Sequence, residues 1–194
     1  VKKNTEEGLR YLRMSADLGN NNAIFNLGCI YEIGIDLKKD DEEALRLYKR
    51  AADLGNRDSM CNYALLNLKK GGNEESQKQS VKYMKMAADL GDSFAMINYG
   101  LLLLDGIGVP ENKKEAVKYF KKGADLGKSE AMFHYGISKI NGIGTDKDPK
   151  EGAQYIKRAA NLGYPKAMLM YGKLLCEGTG VEVDAMQSLQ YIQM

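Results

Sequence analysis

The tetrapeptide Ala16-Asp17-Leu18-Gly19 decides the fold, because it returns at a fixed interval along the chain. It recurs as Ala52-Asp53-Leu54-Gly55, Ala88-Asp89-Leu90-Gly91 and Ala124-Asp125-Leu126-Gly127, then with one change as Ala160-Asn161-Leu162-Gly163. The five glycines are each 36 residues apart. Periods of about 20–50 residues are typical of solenoid proteins. We therefore treat the chain as a repeat array.

Helix signals keep the same register within each repeat. Fifteen residues before each glycine position stand good N-cap residues: Asn4, Asp40, Ser76, Asn112, Asp148 and Asp184. Three residues later stand acids or glutamines in the spacing of a capping box: Glu7, Glu43, Gln79, Glu115, Glu151 and Gln187. The pattern predicts a helix A from each cap to the Leu-Gly, where a glycine in the left-handed conformation ends it.

A second helix, helix B, follows each glycine. Asn20, Asn56 and Asp92 are suitable N-caps, and Pro165 suits a first helical turn. The motif Ala-Met-x-x-Tyr-Gly recurs at 95–100, 131–136 and 167–172, and Gly-x-Gly follows at 106–108, 142–144 and 178–180. The turns at Gly34-Ile35-Asp36 and Lys70-Gly71-Gly72 are degenerate. The predicted repeats are 4–39, 40–75, 76–111, 112–147 and 148–183, with a partial repeat at 184–194 and a single array over 1–194.

Helix A carries a wide apolar arc that explains why such units stack. In the fourth repeat this arc consists of Ala116, Val117, Tyr119, Phe120, Gly123 and Ala124. At 100° per residue these positions span about 160°. One partner helix cannot cover that arc, so we expect helix B of the same repeat and a helix of the next to pack on it.

The 36-residue unit resembles the Sel-like repeats, relatives of the tetratricopeptide repeats, through Ala-Asp-Leu-Gly, Ala-x-x-x-Tyr-Gly and Gly-x-Gly. The resemblance implies an all-α fold: a right-handed α/α solenoid of five 36-residue helix-turn-helix repeats plus one extra C-terminal helix. It also implies that helix A lines the concave face. A secreted subgroup carries one disulfide in each repeat, and Cys29, Cys61 and Cys176 depart from that pattern.

Composition excludes several kinds of function. His134 is the one histidine, so a zinc site with two histidines is impossible. The net charge of +2 indicates no field for nucleic acid. No apolar run reaches the length of a membrane span. We read the cysteines as reduced, buried thiols of a cytoplasmic protein, and the missing initiator Met suggests a piece of a longer chain.

Three motifs invite a chemical interpretation that the sequence does not favour. Gly-x-Gly follows a helix and lacks the third glycine of a dinucleotide loop, so we predict turn glycines. His134 occupies a position held by Asn26, Asn62 and Asn98 in other repeats, which favours local hydrogen bonding over catalysis. The recurring methionines are expected in the core: Met60, Met96, Met132 and Met168. We expect no catalytic residue, cofactor or metal.

Nine basic residues recur nine and six positions before the glycines of helix A, and we call them the basic ladder. They are Arg10, Arg13, Arg46, Lys49, Lys82, Lys85, Lys118, Lys121 and Lys157. One interpretation is a solvated face, since the capping-box acids and the Asp of Ala-Asp-Leu-Gly stand at ion-pairing distances along the helix. The other is a groove that binds an acidic or extended peptide.

We interpret the chain as a non-enzymatic scaffold or adaptor that binds a protein or peptide on the concave helix-A face, with an acidic segment as one candidate. The alternative is a regulatory or substrate-recruiting segment of a larger enzyme such as a kinase. Nucleic acid is a weaker choice because the tyrosines fall on the packed arc. Self-association is a further possibility, since Met186, Leu189 and Ile192 of the last helix lack a helix B to cover them.

Overall fold

The computed structural model describes residues 4–35 and 37–193, which contain eleven α-helices and no β-strand. The predicted all-α class is confirmed. The helices are α1 (Thr5–Asp17), α2 (Asn21–Ile33), α3 (Asp41–Asp53), α4 (Arg57–Lys69), α5 (Glu74–Asp89), α6 (Ser93–Asp105), α7 (Lys113–Asp125), α8 (Ser129–Asn141), α9 (Pro149–Asn161), α10 (Pro165–Glu177) and α11 (Ala185–Gln193). Odd-numbered helices are the predicted helices A, and even-numbered ones are helices B. Residues 1–3, Asp36 of the first degenerate turn and Met194 of the partial repeat lie outside the described residues.

The chain divides into two compact units, Val1–Asp92 with α1–α5 and Ser93–Met194 with α6–α11. Within each unit, every helix packs against the next one along the chain. The even-numbered helices begin 36 residues apart. The right-handed turn of the array and the repeat boundaries stay predictions.

The N-caps of the helices A follow the predicted register with one exception. Asp148 Oδ1, for example, accepts a hydrogen bond of 2.9 Å from the backbone N–H of Glu151. The prediction of Ser76 as a cap is wrong, because α5 begins earlier, at Glu74. Asn73 caps it by accepting from the Ser76 N–H at 2.9 Å. A second good cap residue three positions upstream gives the helix an extra turn.

In α1, Glu7 of the capping box accepts a hydrogen bond of 2.8 Å from the side chain of its cap, Asn4. In later repeats the cap N–H groups donate to carbonyls of the preceding helix B, as Asp148 does to Lys139 at 2.8 Å and Asn112 to Leu103 at 2.8 Å. This connection ties the start of each such helix A to the helix before it. The acidic side chains are thereby left for other partners.

The glycine of Ala-Asp-Leu-Gly ends each complete helix A as predicted, with φ between 82° and 90° at all five positions. At the first, the Gly19 N–H donates to Ala16 and the Asn20 N–H donates to Ser15, each at 3.0 Å. This is the Schellman arrangement, which satisfies two carbonyls of the last turn. Asn20 Oδ1 then accepts from the Ala23 N–H and begins α2.

The predicted arc of α7 is buried at all six positions: Ala116, Val117, Tyr119, Phe120, Gly123 and Ala124. Its largest residue, Phe120, lies against Gly100 of α6, where a Cβ atom would stand 2.9 Å from Phe120 Cδ1. Tyr48 lies in the same way against Gly28, with 2.8 Å between the added Cβ and Tyr48 Cε1. No side chain fits at these glycines, so they set how closely helix B approaches the next helix A.

Candidate functional site

The nine residues of the basic ladder all lie on helices A. Seven are exposed, whereas Lys49 and Lys121 are half-buried. In α7, Lys118 and Lys121 lie outside the buried arc that includes Val117 and Phe120. Each unit thus presents a row of cationic side chains on a surface made by helices A.

Within the part of the chain that the structure describes, five ladder cations form ion pairs in their own helix. Arg46 pairs with Glu43 at 2.6 Å and Lys49 with Asp53 at 3.0 Å. The other three pairs are Lys85 with Asp89, Lys118 with Glu115, and Lys121 with Asp125. The predicted partial neutralisation of the ladder is confirmed. The guanidinium of Arg46 lowers the pKa of Glu43 through its hydrogen bonds.

Tyrosine hydroxyls connect neighbouring helices A at the ladder, which the sequence analysis missed. Tyr83 OH of α5 donates to Asp53 of α3, and Tyr191 OH of α11 donates to Asn161 of α9 at 2.7 Å. Hydrogen bonds from Tyr83 and Lys49 hold the pKa of Asp53 below its usual range. The detectable signal is the constant spacing of 30 residues between these partners. We call each such set a triplet, named by the repeat that holds its lysine. The triplets are Lys49, Asp53 and Tyr83 for the second repeat, Lys85, Asp89 and Tyr119 for the third, Lys121, Asp125 and Tyr155 for the fourth, and Lys157, Asn161 and Tyr191 for the fifth.

Each triplet tyrosine also contacts a tyrosine of helix B. The ring pairs meet edge to face, with centroids 5.0 Å apart for Tyr63–Tyr83 and 4.7 Å apart for Tyr135–Tyr155. Lys121 Nζ lies 5.7 Å from both ring centroids of the second pair. Tyr135 OH donates at 2.9 Å to Glu151, the acid of the capping box, which also pairs with Lys139 at 2.8 Å. Fixed aromatic and polar groups therefore surround the ladder lysines.

Ladder side chains line pockets in each of the two units. One of about 640 Å³ includes Lys118 and Lys121 in its wall, and one of about 480 Å³ includes Arg46 and Lys49. A third, of about 380 Å³, includes Lys157. Equivalent positions of different repeats thus line concave surfaces large enough for a side chain or a short peptide segment.

Sel1 repeat models match the chain at residues 1–20, 21–56, 57–92, 93–128, 129–164 and 165–194. The chain belongs to the Sel1 repeat family. Sel1 repeat proteins are generally protein-interaction scaffolds and are typically non-catalytic. No curated protein sequence matches the chain.

Solved structures support the assignment of this Sel1 repeat chain. A protective antigen of uropathogenic Escherichia coli with an SLR fold is 25% identical, with a TM-score of 0.88 over 94% of this chain. The chain spans only 39% of that protein's length. A Sel1 repeat protein from Oxalobacter formigenes is 26% identical, with a TM-score of 0.85, and the match covers 97% of this chain and 80% of that one. An immunity protein from Pseudomonas aeruginosa, 19% identical with a TM-score of 0.61 over 98% of this chain and 72% of its own, shows a likeness of fold alone.

His134 of this Sel1 repeat chain contacts aromatic rings. Its imidazole stacks on Phe120 with centroids 5.1 Å apart and meets Phe133 edge to face at 5.4 Å. The predicted hydrogen bonding of the side chain is wrong for the part of the chain that the structure describes, because ring contacts take its place. Burial of the imidazole lowers its pKa.

The sulfur-containing side chains follow the predictions in part. Met60, Met96 and Met132 are buried as predicted, and Met168 is half-buried. All three cysteines are free, but the prediction that they are buried holds only for Cys61. Cys29 is half-buried, and Cys176 is exposed, with its sulfur 3.0 Å from Ser188 Oγ of α11. Among the described residues, no three His, Cys, Asp or Glu side chains are grouped to hold a metal.

The last helix, α11, leaves apolar side chains uncovered. Met186 is 76% exposed and Leu189 is 55% exposed. Self-association through this surface stays a prediction, and light scattering over a range of protein concentrations would test it. None of the described helices is long and apolar enough to cross a bilayer.

Proposed function

We propose that this chain is an interaction scaffold that binds a protein or peptide segment on the exposed face of helices A. The basic ladder contacts acidic side chains of that partner. The observation that carries the proposal is that equivalent ladder positions line pockets in each unit: Arg46 and Lys49 in the first, and Lys118 and Lys121, and Lys157, in the second. The family resemblance suggests that this face is the concave one.

The ion pairs of the ladder are compatible with an acidic partner. Exposed pairs of this kind are worth only about 0–1 kcal/mol each, because water solvates both charges well. A carboxylate of a partner can therefore share or replace an Asp at low energetic cost. The triplet contacts, such as Tyr83 to Asp53, meanwhile hold the lysines within the same narrow region of the face. Prior ordering of these side chains reduces the entropy lost on binding.

The experiment compares two triple variants that lose the same charge. The ladder variant carries Lys49→Gln, Lys85→Gln and Lys121→Gln, and glutamine can still donate to the neighbouring Asp. The control variant replaces exposed lysines elsewhere: Lys69→Gln, Lys128→Gln and Lys150→Gln. Peptides selected by phage display on the unmodified chain serve as probes, and fluorescence anisotropy measures their dissociation constants.

We expect the selected peptides to be rich in Asp and Glu. Loss of three exposed charge contacts costs about 1.5 kcal/mol, which raises the dissociation constant about tenfold in the ladder variant. The control variant should bind within about twofold of the unmodified chain, since it changes only the net charge. Equal affinities of the two variants, or selected peptides without acidic residues, would contradict the proposal. Circular dichroism of both variants verifies that the helices are retained.

A further inference from the structure

The triplet of the fifth repeat, Lys157, Asn161 and Tyr191, differs from the others in charge. Lys49 and Lys121 each pair with the Asp four residues later, whereas Lys157 has Asn161 at that position. Across residues 4–35 and 37–193, no carboxylate pairs with Lys157. No described carboxylate therefore neutralises the cation of this triplet, as Asp53 and Asp125 neutralise its equivalents.

A second carboxylate of the earlier repeats is replaced by an amide beside Lys157. In the fourth repeat, Tyr135 donates to Glu151, and Glu151 has Gln187 as its equivalent 36 residues later. Gln187 lines the pocket of about 380 Å³ together with Lys157, Ala160, Asn161, Gln190 and Tyr191. The described wall of this pocket thus holds one cation and three amides but no acid. The pocket of about 640 Å³, in contrast, includes Asp146.

The hydrogen bonds of the pocket orient its donors. Tyr191 OH donates to Asn161 Oδ1 at 2.7 Å, which leaves both N–H groups of the Asn161 amide for another acceptor. Lys157 Nζ lies 5.7 Å from the ring centroid of Tyr171, and this contact holds the ammonium group on the same surface. An ammonium group beside amide N–H donors, with no acid among them, is complementary to an anion.

We propose that this pocket binds a carboxylate group of the partner segment, and that this carboxylate occupies the place of the Asp that the triplet of the fifth repeat lacks. The proposal rests on the proposed function and assigns one anchoring point to it. A carboxylate is favoured because the equivalent triplets already pair the same lysine position with a carboxylate, in Lys49–Asp53 and Lys121–Asp125.

The test is an NMR titration of the 194-residue chain with acetyl-Glu-Glu-amide, with acetyl-Gln-Gln-amide as the uncharged control. The readout is the side-chain NH₂ resonances of Asn161, Gln187 and Gln190. The informative variant is Asn161→Asp, which restores the triplet found in other repeats and is therefore expected to fold. Asn22→Asp adds the same charge at an exposed position in α2 and serves as its matched control.

We expect saturable shifts at these three amides with the acidic dipeptide and none with the uncharged one. Asn161→Asp should weaken binding at least tenfold because its carboxylate pairs with Lys157, while Asn22→Asp leaves the affinity within about twofold. No shift at the pocket, or unchanged affinity in Asn161→Asp, would overturn the inference. Shifts confined to other triplets would overturn the inference but would still support the proposed function. Shifts produced by inorganic phosphate and not by the dipeptide would refute the carboxylate assignment.

Discussion

Replacing Gly152 by alanine tests how closely α8 and α9 pack. A Cβ added at Gly152 would stand 2.6 Å from the carbonyl oxygen of Gly136 and 2.6 Å from Ile140 Cγ1. Ordinary contacts of a Cβ atom begin near 3.4 Å, so the helices must separate by roughly 0.8 Å. The carbonyl belongs to the backbone of α8 and cannot rotate away as a side chain can.

The chain contains its own control for this change. Gly8 holds the same position in α1, four residues after the cap, and a Cβ added there meets nothing within 4 Å. Both substitutions gain about 0.5–1 kcal/mol because alanine favours a helix interior over glycine. Only Gly152→Ala also suffers overpacking, which costs about 1–3 kcal/mol.

We therefore expect Gly8→Ala to stabilise the protein and Gly152→Ala to destabilise it, with a difference of about 1–3 kcal/mol between them. Urea denaturation followed by far-ultraviolet circular dichroism measures this difference. For a slope near 2 kcal/mol per molar urea, the two midpoints should differ by about 0.5–1.5 M. Hydrogen exchange should show the loss of protection in α8 and α9. Equal stabilisation by both substitutions would refute the reasoning, because it would mean that the two backbones separate freely.

Two further predictions concern titratable side chains. Burial lowers the pKa of His134, so the unfolded chain takes up a proton first as the pH falls. The contribution of His134 to stability is thus present above about pH 6.5 and is lost below it. The urea midpoint of the unmodified chain should be lower at pH 5.5 than at pH 7.5, whereas that of His134→Asn should be the same at both pH values. An equal decrease in the two proteins would contradict the assignment. Burial also raises the pKa of the Cys61 thiol to about 12. A thiol reagent at pH 8 should therefore label the exposed Cys176 rapidly and Cys61 only after urea is added. Rapid labelling of Cys61 in the folded protein would disprove its burial.

The local signals of the sequence are reliable where one residue decides a conformation. The glycine of Ala-Asp-Leu-Gly ends each complete helix A at a positive φ because this backbone conformation strains residues with a side chain. The start of α5 is a different case, because Asn73 and Ser76 are both competent caps and the choice depends on whether the extra turn can be accommodated. Hydrogen bonding within the turn cannot rank two such caps.

The candidate site could be predicted only in outline. The positions of the ladder cations and their ion pairs follow from helical spacing, since partners three or four residues apart lie on the same side of a helix. The contact of Tyr83 with Asp53 spans 30 residues and needs the two helices A to lie side by side. The change from Asp to Asn in the fifth repeat can be interpreted only when that contact is known. Asn161 stands where an acid in other repeats binds both a lysine and a tyrosine.

The sequence by itself determined the helices, the ends of the helices A apart from the start of α5, the interval of the repeat and the membership of a solenoid family, because these depend on contacts within a few residues and on periodicity. The tertiary structure alone decided which side chains meet across helices: the Tyr–Asp contacts, the ring pairs, the ring environment of His134, and the pocket at Lys157. Such contacts depend on the rotation and separation of neighbouring helices to within about an ångström. That geometry follows from the packing of all the buried side chains together.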